Sequence, residues 1–241
     1  MNAMIFAAGL GTRLQPITNT KPKALVEIGG FTLLEIAIRK LINFGIKRIV
    51  INVHHFAELI IDFIDKNNFS NTEILISHEK DNLLDTGGGL VRAKGLFIEN
   101  SPIIIYNVDV LTNINFSELI EYHNINNNLV TMFVQKRDAT RYLLFDKNNQ
   151  LCGWNNPKTG EEKWSTTQKS ATKLGYNGIQ IVDYKIFSYL PTFGAFSIIP
   201  YLVELAATHK ICAWRNDKAK WFDLGTIEKL QKVVEYSDCI L

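Results

Sequence analysis

The chain has 241 residues, enough for one large core or for one α/β unit with a modest insertion. Hydrophobic residues make up 46% of it and charged residues 21%, a composition that is typical of a globular protein and excludes a disordered chain. The formal net charge is +2 with both signs interspersed, so no long basic region predicts nucleic-acid binding.

The sequence also gives no reason to expect a membrane protein. Its apolar runs are shorter than the roughly 20 residues that span a bilayer, and the apolar start leads into a glycine-containing loop rather than a signal-peptide cleavage site. The three cysteines, Cys152, Cys212 and Cys239, have no CxxC spacing and form an odd set, which is typical of structural thiols in a reducing compartment. We therefore expect a cytoplasmic protein without a membrane partner.

The first part of the chain predicts alternating strands and helices. Apolar, β-branched runs alternate with segments whose apolar residues recur at helical spacing. Thr32 is expected to cap the first helix, and Gly45 to end it. Beyond the apolar run that ends at Gly9, extended segments are predicted at 24–28, 48–53, 73–77, 102–107 and 129–135, and helices at 33–44, 57–66, 88–97 and 115–127. This alternation indicates an α/β fold with a parallel sheet and right-handed crossovers.

From about Arg141 the pattern changes. Residues 142–146 and 150–154 predict a hairpin, and the polar stretch 155–171 predicts a loop. A strand at 174–182, a helix at 196–208, a strand at 211–215 and a helix at 226–236 complete the chain. No internal repeat or low-complexity linker divides the sequence, so we expect one domain, 1–241, with a substrate-facing C-terminal portion.

The most informative stretch is the loop after the first apolar run, Gly9-Leu10-Gly11-Thr12-Arg13. A buried strand that ends in such a turn places backbone N–H groups at the sheet edge where α/β proteins bind ligands. Glycines let the chain approach a phosphate closely, and Arg13 and Lys23 can neutralise its charge. The loop does not fit the dinucleotide-binding fingerprint, because Leu14 stands where that motif has its third glycine. It does not fit the P-loop either, because it lacks the Gly-Lys-Ser/Thr end of that motif. Gly-x-Gly alone would equally fit a simple tight turn.

A longer string is more specific. Gly9-x-Gly11-Thr12-Arg13-Leu14-x-Pro16, with Pro22-Lys23 downstream, closely resembles the signature of sugar-1-phosphate nucleotidyltransferases. Three further motifs of that family follow in the right order: Asp85-Thr86-Gly87-Gly88-Gly89, the apolar strand that leads to Asp109, and Trp221-x-Asp223-x-Gly225-Thr226. The resemblance covers most of the chain. Within the family the sequence looks most like N-acetylmuramate-1-phosphate uridylyltransferases and mannose- or heptose-1-phosphate guanylyltransferases.

This resemblance implies a fold and an activity. The fold would be a Rossmann-like doubly wound mixed sheet of the nucleotide-diphospho-sugar transferase type, with a nucleotide-binding half at 1–140 and a small sugar-binding half at 141–241. The activity would be Mg²⁺-dependent transfer of a nucleoside monophosphate from a nucleoside triphosphate to a sugar-1-phosphate, which gives a nucleotide sugar and pyrophosphate. A monomer or a homodimer would carry it out.

The resemblance also implies site residues. Asp109 and Asp223 would hold Mg²⁺, which prefers hard oxygen donors, although Asp223 by itself would also fit a turn or a helix cap. With Arg13 and Lys23 these aspartates form the implied catalytic set. The implied nucleotide-binding residues are Ala8, Gly9, Gly11, Thr12, Arg13, Lys23, Gly87, Gly88 and Asp109, and the implied sugar-binding residues are Asn177, Gly178 and Trp221.

Two other functions remain open on the same fold. One is a cytidylyltransferase for a choline-phosphate-like alcohol, which an aromatic cage would favour. The other is a non-catalytic sugar-nucleotide sensor, which lost catalytic residues would favour. The chain departs from the family where Val108 replaces the usual glycine before the metal aspartate, and where 155–158 fails to match a Glu-Lys-Pro sugar-binding segment. This second departure leaves the sugar undetermined, and the sequence does not decide the base either, because the base contacts are expected to be largely with backbone.

Overall fold

The computed structural model describes residues 1–69, 72–167 and 170–234. The helices are α1 Leu33–Asn43, α2 Ala57–Lys66, α3 Asp85–Arg92, α4 Phe116–Ile125, α5 Ile198–Leu205 and α6 Ile227–Val234. The strands are β1 Asn2–Phe6, β2 Glu27–Ile28, β3 Phe31–Thr32, β4 Arg48–Val53, β5 Glu73–His78, β6 Ile103–Asn107, β7 Val110–Thr112, β8 Val130–Gln135, β9 Tyr142–Phe145, β10 Leu151–Asn156, β11 Glu161–Trp164, β12 Thr172–Val182, β13 Ile211–Arg215 and β14 Trp221–Asp223.

The first half of the chain builds a parallel sheet. Strands β6, β1, β4 and β5 lie side by side in that order, with Met4 opposite both Val50 and Ile105. Apart from Phe6, the apolar residues of β1, β4 and β6 are buried on both faces, which is why these three strands read as continuous hydrophobic runs, while those of the edge strand β5 are only partly buried. Because all four strands are parallel, the segments that follow Phe6 and Asn107 leave the sheet at the same edge.

Antiparallel strands extend this sheet. The long strand β12 runs antiparallel to β6, β8 and β9, and β10 and β11 continue the sheet beyond β9. The pairing of β12 with β8 shifts register between Tyr176 and Gln180, at a bulge where Gly178 has a φ of +75°. Only a residue that tolerates this left-handed conformation fits there, so glycine makes the bulge possible.

Helices cover both faces of the sheet. In β1, Ala3 and Ile5 join one hydrophobic core and Met4 joins the other. Helices α1, α2, α4 and α6 contribute side chains to the first core, and α3 and α5 to the second. This arrangement confirms the predicted doubly wound mixed sheet. Among the described residues, no helix combines the length and apolarity that crossing a bilayer requires.

Most predicted elements are confirmed with small shifts at their ends. The strand at 48–53, the helix at 57–66 and the strand at 211–215 have the predicted bounds. Cys152 and Cys212 are buried free thiols. The predicted end of the last helix at 236, and Cys239, lie outside the described residues.

The extended segment predicted at 24–28 is largely wrong. Lys23–Leu25 forms a 3₁₀ turn instead, in which Leu25 N donates to Pro22 O at 2.9 Å and Val26 N donates to Lys23 O at 3.0 Å. Only Glu27–Ile28 is a strand. The fixed φ of Pro22 favours this turn. The turn is relevant to the site because it carries Lys23.

The helix predicted at 88–97 begins earlier, at Asp85, and ends at Arg92. Glycine is a poor helix former, so a helix that runs through all three glycines is not expected from the sequence. Tertiary packing overrides that preference. A Cβ at Gly88 would lie 2.3 Å from Gly194 O, and one at Gly87 would lie 2.2 Å from Phe196 Cε2.

The loop predicted at 155–171 is also partly wrong. Strand β10 continues to Asn156, and β11 pairs with it across a turn in which Gly160 has a φ of +73°. β11 lies at the sheet edge, where β10 is its one neighbour among the described residues, and an edge position allows a polar sequence to form a strand. The three-residue strands β7 and β14 were not predicted, and they pair with each other.

Candidate active site

The glycine loop folds back on itself after β1. Gly11 has a φ of +66°, and its carbonyl accepts hydrogen bonds from Leu14 N at 2.9 Å and from Thr18 Oγ1 at 2.9 Å. A Cβ at Gly11 would lie 3.0 Å from Thr18 Cγ2 and 3.2 Å from Lys23 Cβ. Glycine is therefore needed both for the backbone angle and for the close approach of the segment that carries Lys23.

Lys23 forms an ion pair with Asp109. Its Nζ contacts Asp109 Oδ2, and both side chains are largely buried. Asp109 follows β6 after a short turn, whereas Lys23 lies in the 3₁₀ turn beyond the glycine loop. The ion pair thus joins the glycine loop to the carboxyl end of the central strand.

The β7–β14 ladder brings the two predicted metal aspartates together. Asp223 pairs with Val110, the residue after Asp109, and Leu224 N donates to Asp109 O at 2.9 Å. The Asp223 carboxylate accepts from Gly225 N at 3.0 Å and from Lys229 Nζ at 2.6 Å. These contacts place two carboxylates that are distant in the sequence on adjacent backbone segments.

Cations hold Asp223 in its ionised form. Burial by itself would raise the pKa of this carboxyl, but the hydrogen bond and charge of Lys229, with the charges of Lys23 and Arg13, keep that pKa below its usual value. Arg13 is close by, since a Cβ at Gly225 would lie 2.8 Å from Arg13 Nη2 and 2.8 Å from Asp223 Oδ1. The site is therefore a mixed cluster of carboxylates and cations.

Two cavities meet at this cluster. The one next to the glycine loop, which we call the loop cavity, has a volume of about 640 Å³. The other, which we call the wide cavity, has a volume of about 1110 Å³ and lies against β9, β12 and β14. Asn107 and Asp109 line both. Asp109 thus stands at the boundary between two adjoining binding spaces.

Most of the predicted site residues line these cavities. Ala8, Gly9 and Lys23 line the loop cavity, and Asp109 lines both cavities. The predicted residues that line the wide cavity are Arg13, Asn177, Gly178, Trp221 and Asp223. In the described part of the chain Gly11 and Thr12 do not line either cavity: Gly11 shapes the loop, and Thr12 begins an exposed 3₁₀ turn.

Gly87 and Gly88 lie behind the loop cavity rather than in its wall. Their N–H groups donate to Phe196 O at 2.9 and 3.2 Å, while Asp85, Thr86 and Phe196 line the cavity. The glycines therefore permit close packing of α3 against 194–196. This packing supports Asp85, Thr86 and Phe196, which form part of the cavity wall.

Sequence reasoning missed two buried polar residues of the loop cavity. Glu79 is 1% exposed; it accepts from Asn52 Nδ2 at 2.8 Å and from Leu84 N at 2.8 Å. Asn52 in turn accepts from Ala7 N at 2.8 Å. Each residue lies at the carboxyl end of a predicted strand, and that position was the available signal.

Sequence reasoning also missed Arg137 in the wide cavity. Its guanidinium lies 3.9 Å from the centroid of the Trp221 ring, and Trp221 Nε1 donates to Asn177 O at 2.8 Å. Arg137 falls in a polar stretch between two predicted strands, where nothing in the sequence distinguishes it from a surface arginine.

The donor set fits a hard divalent cation. Asp109 and Asp223 supply carboxylate oxygens at one cavity wall, and Mg²⁺ in proteins is commonly bound by one or two carboxylates together with water and substrate phosphates. Two carboxylates without a cluster of His or Cys residues are the donors of an oxygen-ligated metal. Lys23 and Lys229 pair with these same aspartates, so both carboxylates already bind positive charge.

Comparison with known proteins agrees with this geometry. A family model described as "Nucleotidyl transferase" matches residues 2–151. N-acetylmuramate alpha-1-phosphate uridylyltransferase of Caulobacter vibrioides is 31% identical over 232 residues, which cover 92% of this chain and 91% of that protein.

Solved structures have the same fold along nearly the whole chain. HddC from Yersinia pseudotuberculosis, complexed with GMP-PN, has a TM-score of 0.78 at 25% identity and covers 98% of this chain and 99% of its own. The inositol-1-phosphate CTP transferase from T. maritima has a TM-score of 0.77 at 17% identity, with 98% and 94% covered, and shows the fold alone. The glycine loop, the paired aspartates and these matches lead to one conclusion: the chain belongs to the nucleotidyl transferase family.

Proposed function

We propose that the protein transfers a nucleoside monophosphate from a nucleoside triphosphate to a sugar-1-phosphate, releasing pyrophosphate, with Mg²⁺ held by Asp109 and Asp223. The triphosphate would bind in the loop cavity and the sugar phosphate in the wide cavity. The observation that carries this proposal is the position of Asp109. It lines both cavities, and the next residue, Val110, pairs with Asp223 in the β7–β14 ladder.

The reaction needs positioning and charge stabilisation rather than a protein nucleophile. An oxygen of the sugar phosphate would bond to the α-phosphorus while the bond from that phosphorus to the bridging oxygen of the β-phosphate breaks. Pyrophosphate leaves with the electron pair. Because the attacking phosphate is already an anion, no side chain has to remove a proton from it.

The cations near the two aspartates suit this chemistry. Lys23 lines the loop cavity and Arg13 the wide cavity, so the two would approach the reacting phosphates from opposite sides. Arg13 can bind phosphate oxygens in a bidentate manner, and Lys23 offers a compact charge. Bound Mg²⁺ would neutralise charge on the phosphates of both substrates. Gly9 has no atom within 4 Å of a built Cβ, so a phosphate can approach the backbone there.

The wide cavity gives little support to a choline-phosphate-like substrate. It contains Trp154 and Trp221, but an arginine of the chain lies over each ring: Arg141 at 6.0 Å from the Trp154 centroid and Arg137 at 3.9 Å from the Trp221 centroid. A quaternary ammonium would have to displace these cations from the ring faces. An anionic sugar phosphate would instead meet favourable charge.

Pyrophosphate release tests the proposal. The protein would be assayed with UTP, GTP, CTP and dTTP against a panel of sugar-1-phosphates, with Mg²⁺ and then with EDTA. We expect release with at least one pair and loss of release on chelation, restored by excess Mg²⁺. Binding of nucleotide sugars without pyrophosphate release from any pair would favour the sensor function instead.

A matched pair of variants tests the central residue. Asp109→Asn keeps the size of the side chain but removes its charge, and we expect turnover to fall by about 10³-fold, or ~4 kcal/mol. Asp62→Asn, on the exposed face of α2, should behave as wild type. Turnover within about twofold of wild type in Asp109→Asn would reject the assignment.

A further inference from the structure

Arg137 lies in the wall of the wide cavity, and all three nitrogens of its guanidinium donate hydrogen bonds to the protein. It follows β8, and its Nε donates to Asn177 Oδ1 at 2.8 Å while Nη2 donates to Tyr176 O at 2.6 Å. Nη1 donates to Asp138 O at 3.0 Å. With the ring of Trp221 beneath it, the guanidinium is held by three hydrogen bonds and one stacking contact.

These contacts form a closed unit in the wall of the wide cavity. Arg137 binds both the side chain of Asn177 and the ring of Trp221, and the Trp221 indole donates to the Asn177 carbonyl at 2.8 Å. Gly175 leaves room for this arrangement, since a Cβ there would lie 2.8 Å from Arg137 Cζ. We call Arg137, Asn177 and Trp221 the arginine clamp.

The clamp fixes the orientation of the Asn177 amide. A guanidinium can only donate hydrogen bonds, so the amide oxygen must face Arg137 and the amide nitrogen must point elsewhere. That nitrogen, Nδ2, is buried and has no hydrogen-bond partner among the described residues. Leaving a buried donor unpaired costs about 1–3 kcal/mol, so the hydrogen bond from Arg137 to the amide oxygen is needed to hold Asn177 in this orientation.

The clamp also lies beside the catalytic cluster. Burial lowers the pKa of Arg137, while the negative charge of Asp223 acts in the opposite direction. Asp223 directly follows Phe222 and the clamp residue Trp221 in β14. The clamp therefore adjoins the catalytic cluster in the wall of the wide cavity.

We propose that Arg137 is a positioning residue for the sugar phosphate: it holds Trp221 and Asn177 together as a rigid floor of the wide cavity. This inference rests on the proposed function. It adds a residue that no family motif in the sequence marks.

The loop cavity is not part of this role. None of its described lining residues belongs to the clamp, so triphosphate binding should be insensitive to Arg137. Lysine should not replace arginine, because one ammonium group cannot stack on the indole while donating to three acceptors that lie in a fixed fork.

The test is steady-state kinetics of pyrophosphate release by Arg137→Lys and Arg137→Gln, with KM measured separately for each substrate. We expect the sugar-phosphate KM to rise by about 10- to 100-fold and the triphosphate KM to stay within about twofold. Arg215→Lys is the matched control, because Arg215 is an exposed arginine at the end of β13 that pairs only locally, with Asp217. It should leave both constants unchanged.

A second variant guards against simple misfolding. Asn177→Asp keeps an oxygen toward Arg137 and with it the clamp, so its melting temperature should match or exceed that of wild type, and its sugar-phosphate KM should rise less than that of Arg137→Gln. Added guanidinium at millimolar concentration should restore part of the activity of Arg137→Ala and leave Arg215→Ala unaffected.

The outcomes separate the two proposals. Wild-type protein that releases no pyrophosphate with any pair overturns the proposed function, and the role of Arg137 with it. Active wild type with normal kinetics in Arg137→Lys, or with equal rises in both KM values, overturns the positioning role alone. A selective rise in the sugar-phosphate KM that guanidinium relieves supports it.

Discussion

The two cavities are built in different ways. The loop cavity lies at the ends of parallel strands, and the small residues Ala7, Ala8 and Gly9 bring backbone into its wall beside side chains such as Lys23 and Glu79. The wide cavity lies against antiparallel strands and the β7–β14 ladder. Its wall consists of large polar and aromatic side chains, among them Arg137, Asn177 and Trp221.

This difference suggests a division of labour. The backbone groups in the wall of the loop cavity suit a feature that all nucleotides share, the phosphate chain, and the glycine loop that exposes them tolerates few substitutions. A wall of side chains can change residue by residue, and it suits the part of the reaction that varies, the sugar. Asp109 lies where the two meet, so chemistry is placed at the boundary.

After Asp109→Asn, the next largest effect is expected at the same boundary, from Asp223→Asn. Loss of this charge would leave Lys229 and Arg13 without their carboxylate and weaken the metal site, so we expect turnover to fall by about 10²-fold. Asp217→Asn, in the exposed turn before β14, should stay within about twofold of wild type. Pyrophosphate-release rates at saturating substrate measure both. Similar rates in the two variants would separate Asp223 from the chemistry.

Replacement of Gly88 tests how strictly the loop cavity depends on packing. In Gly88→Ala the new Cβ would meet Gly194 O at 2.3 Å, a backbone atom that cannot rotate away, so we expect the free energy of unfolding to fall by about 2–3 kcal/mol. Gly95→Ala is the control, since no heavy atom lies within 4 Å of its built Cβ. Chemical denaturation measures the difference. Equal stability of the two variants would contradict the packing role of the glycine triplet.

Acid should destabilise the folded protein through the buried residue His123. His123 on α4 is buried against β8, where its Nδ1 lies 3.0 Å from Thr131 Oγ1, and burial lowers its pKa from 6.5 to about 4, although the charge of Asp183 acts against this shift. Between these two pH values the unfolded chain binds a proton that the folded chain does not, so stability falls as the pH drops from 6.5 to 4.

The measurement is the free energy of unfolding across this pH range. We expect a loss of about 1–3 kcal/mol in wild type and a smaller loss in His123→Gln, which has no group to titrate there. His55→Gln, at an exposed position, should keep the wild-type slope. If His123→Gln loses as much free energy of unfolding as wild type between pH 6.5 and 4, groups other than His123 cause the loss.

The same contrast explains what the sequence could predict. The strands around the loop cavity carry local signals, namely apolar runs, glycines and a family string, and Lys23, Asp109 and Gly9 line one cavity as those signals implied. The β7–β14 ladder has strands of three residues, too short for a periodic pattern, and it forms because Val110 and Asp223 meet across a long stretch of chain. The arginine clamp likewise depends on a β12 bulge and a ring from another strand. Contacts of this kind leave no local pattern.

The smallest effect, and the sharpest test of the backbone wall, is expected from Gly9→Ala. No heavy atom lies within 4 Å of a Cβ built at Gly9, and no left-handed φ is required there, so the folded protein should accept alanine with a stability change below about 0.5 kcal/mol. The new methyl group would instead occupy space in the loop cavity, where we propose that phosphate approaches the backbone. We therefore expect the triphosphate KM to rise by about fivefold to tenfold while the sugar-phosphate KM stays constant, the reverse of the pattern expected for Arg137→Lys. A Gly9→Ala protein with both constants unchanged would mean that triphosphate does not contact this loop, and the division between a backbone-lined and a side-chain-lined cavity would then have to be drawn elsewhere.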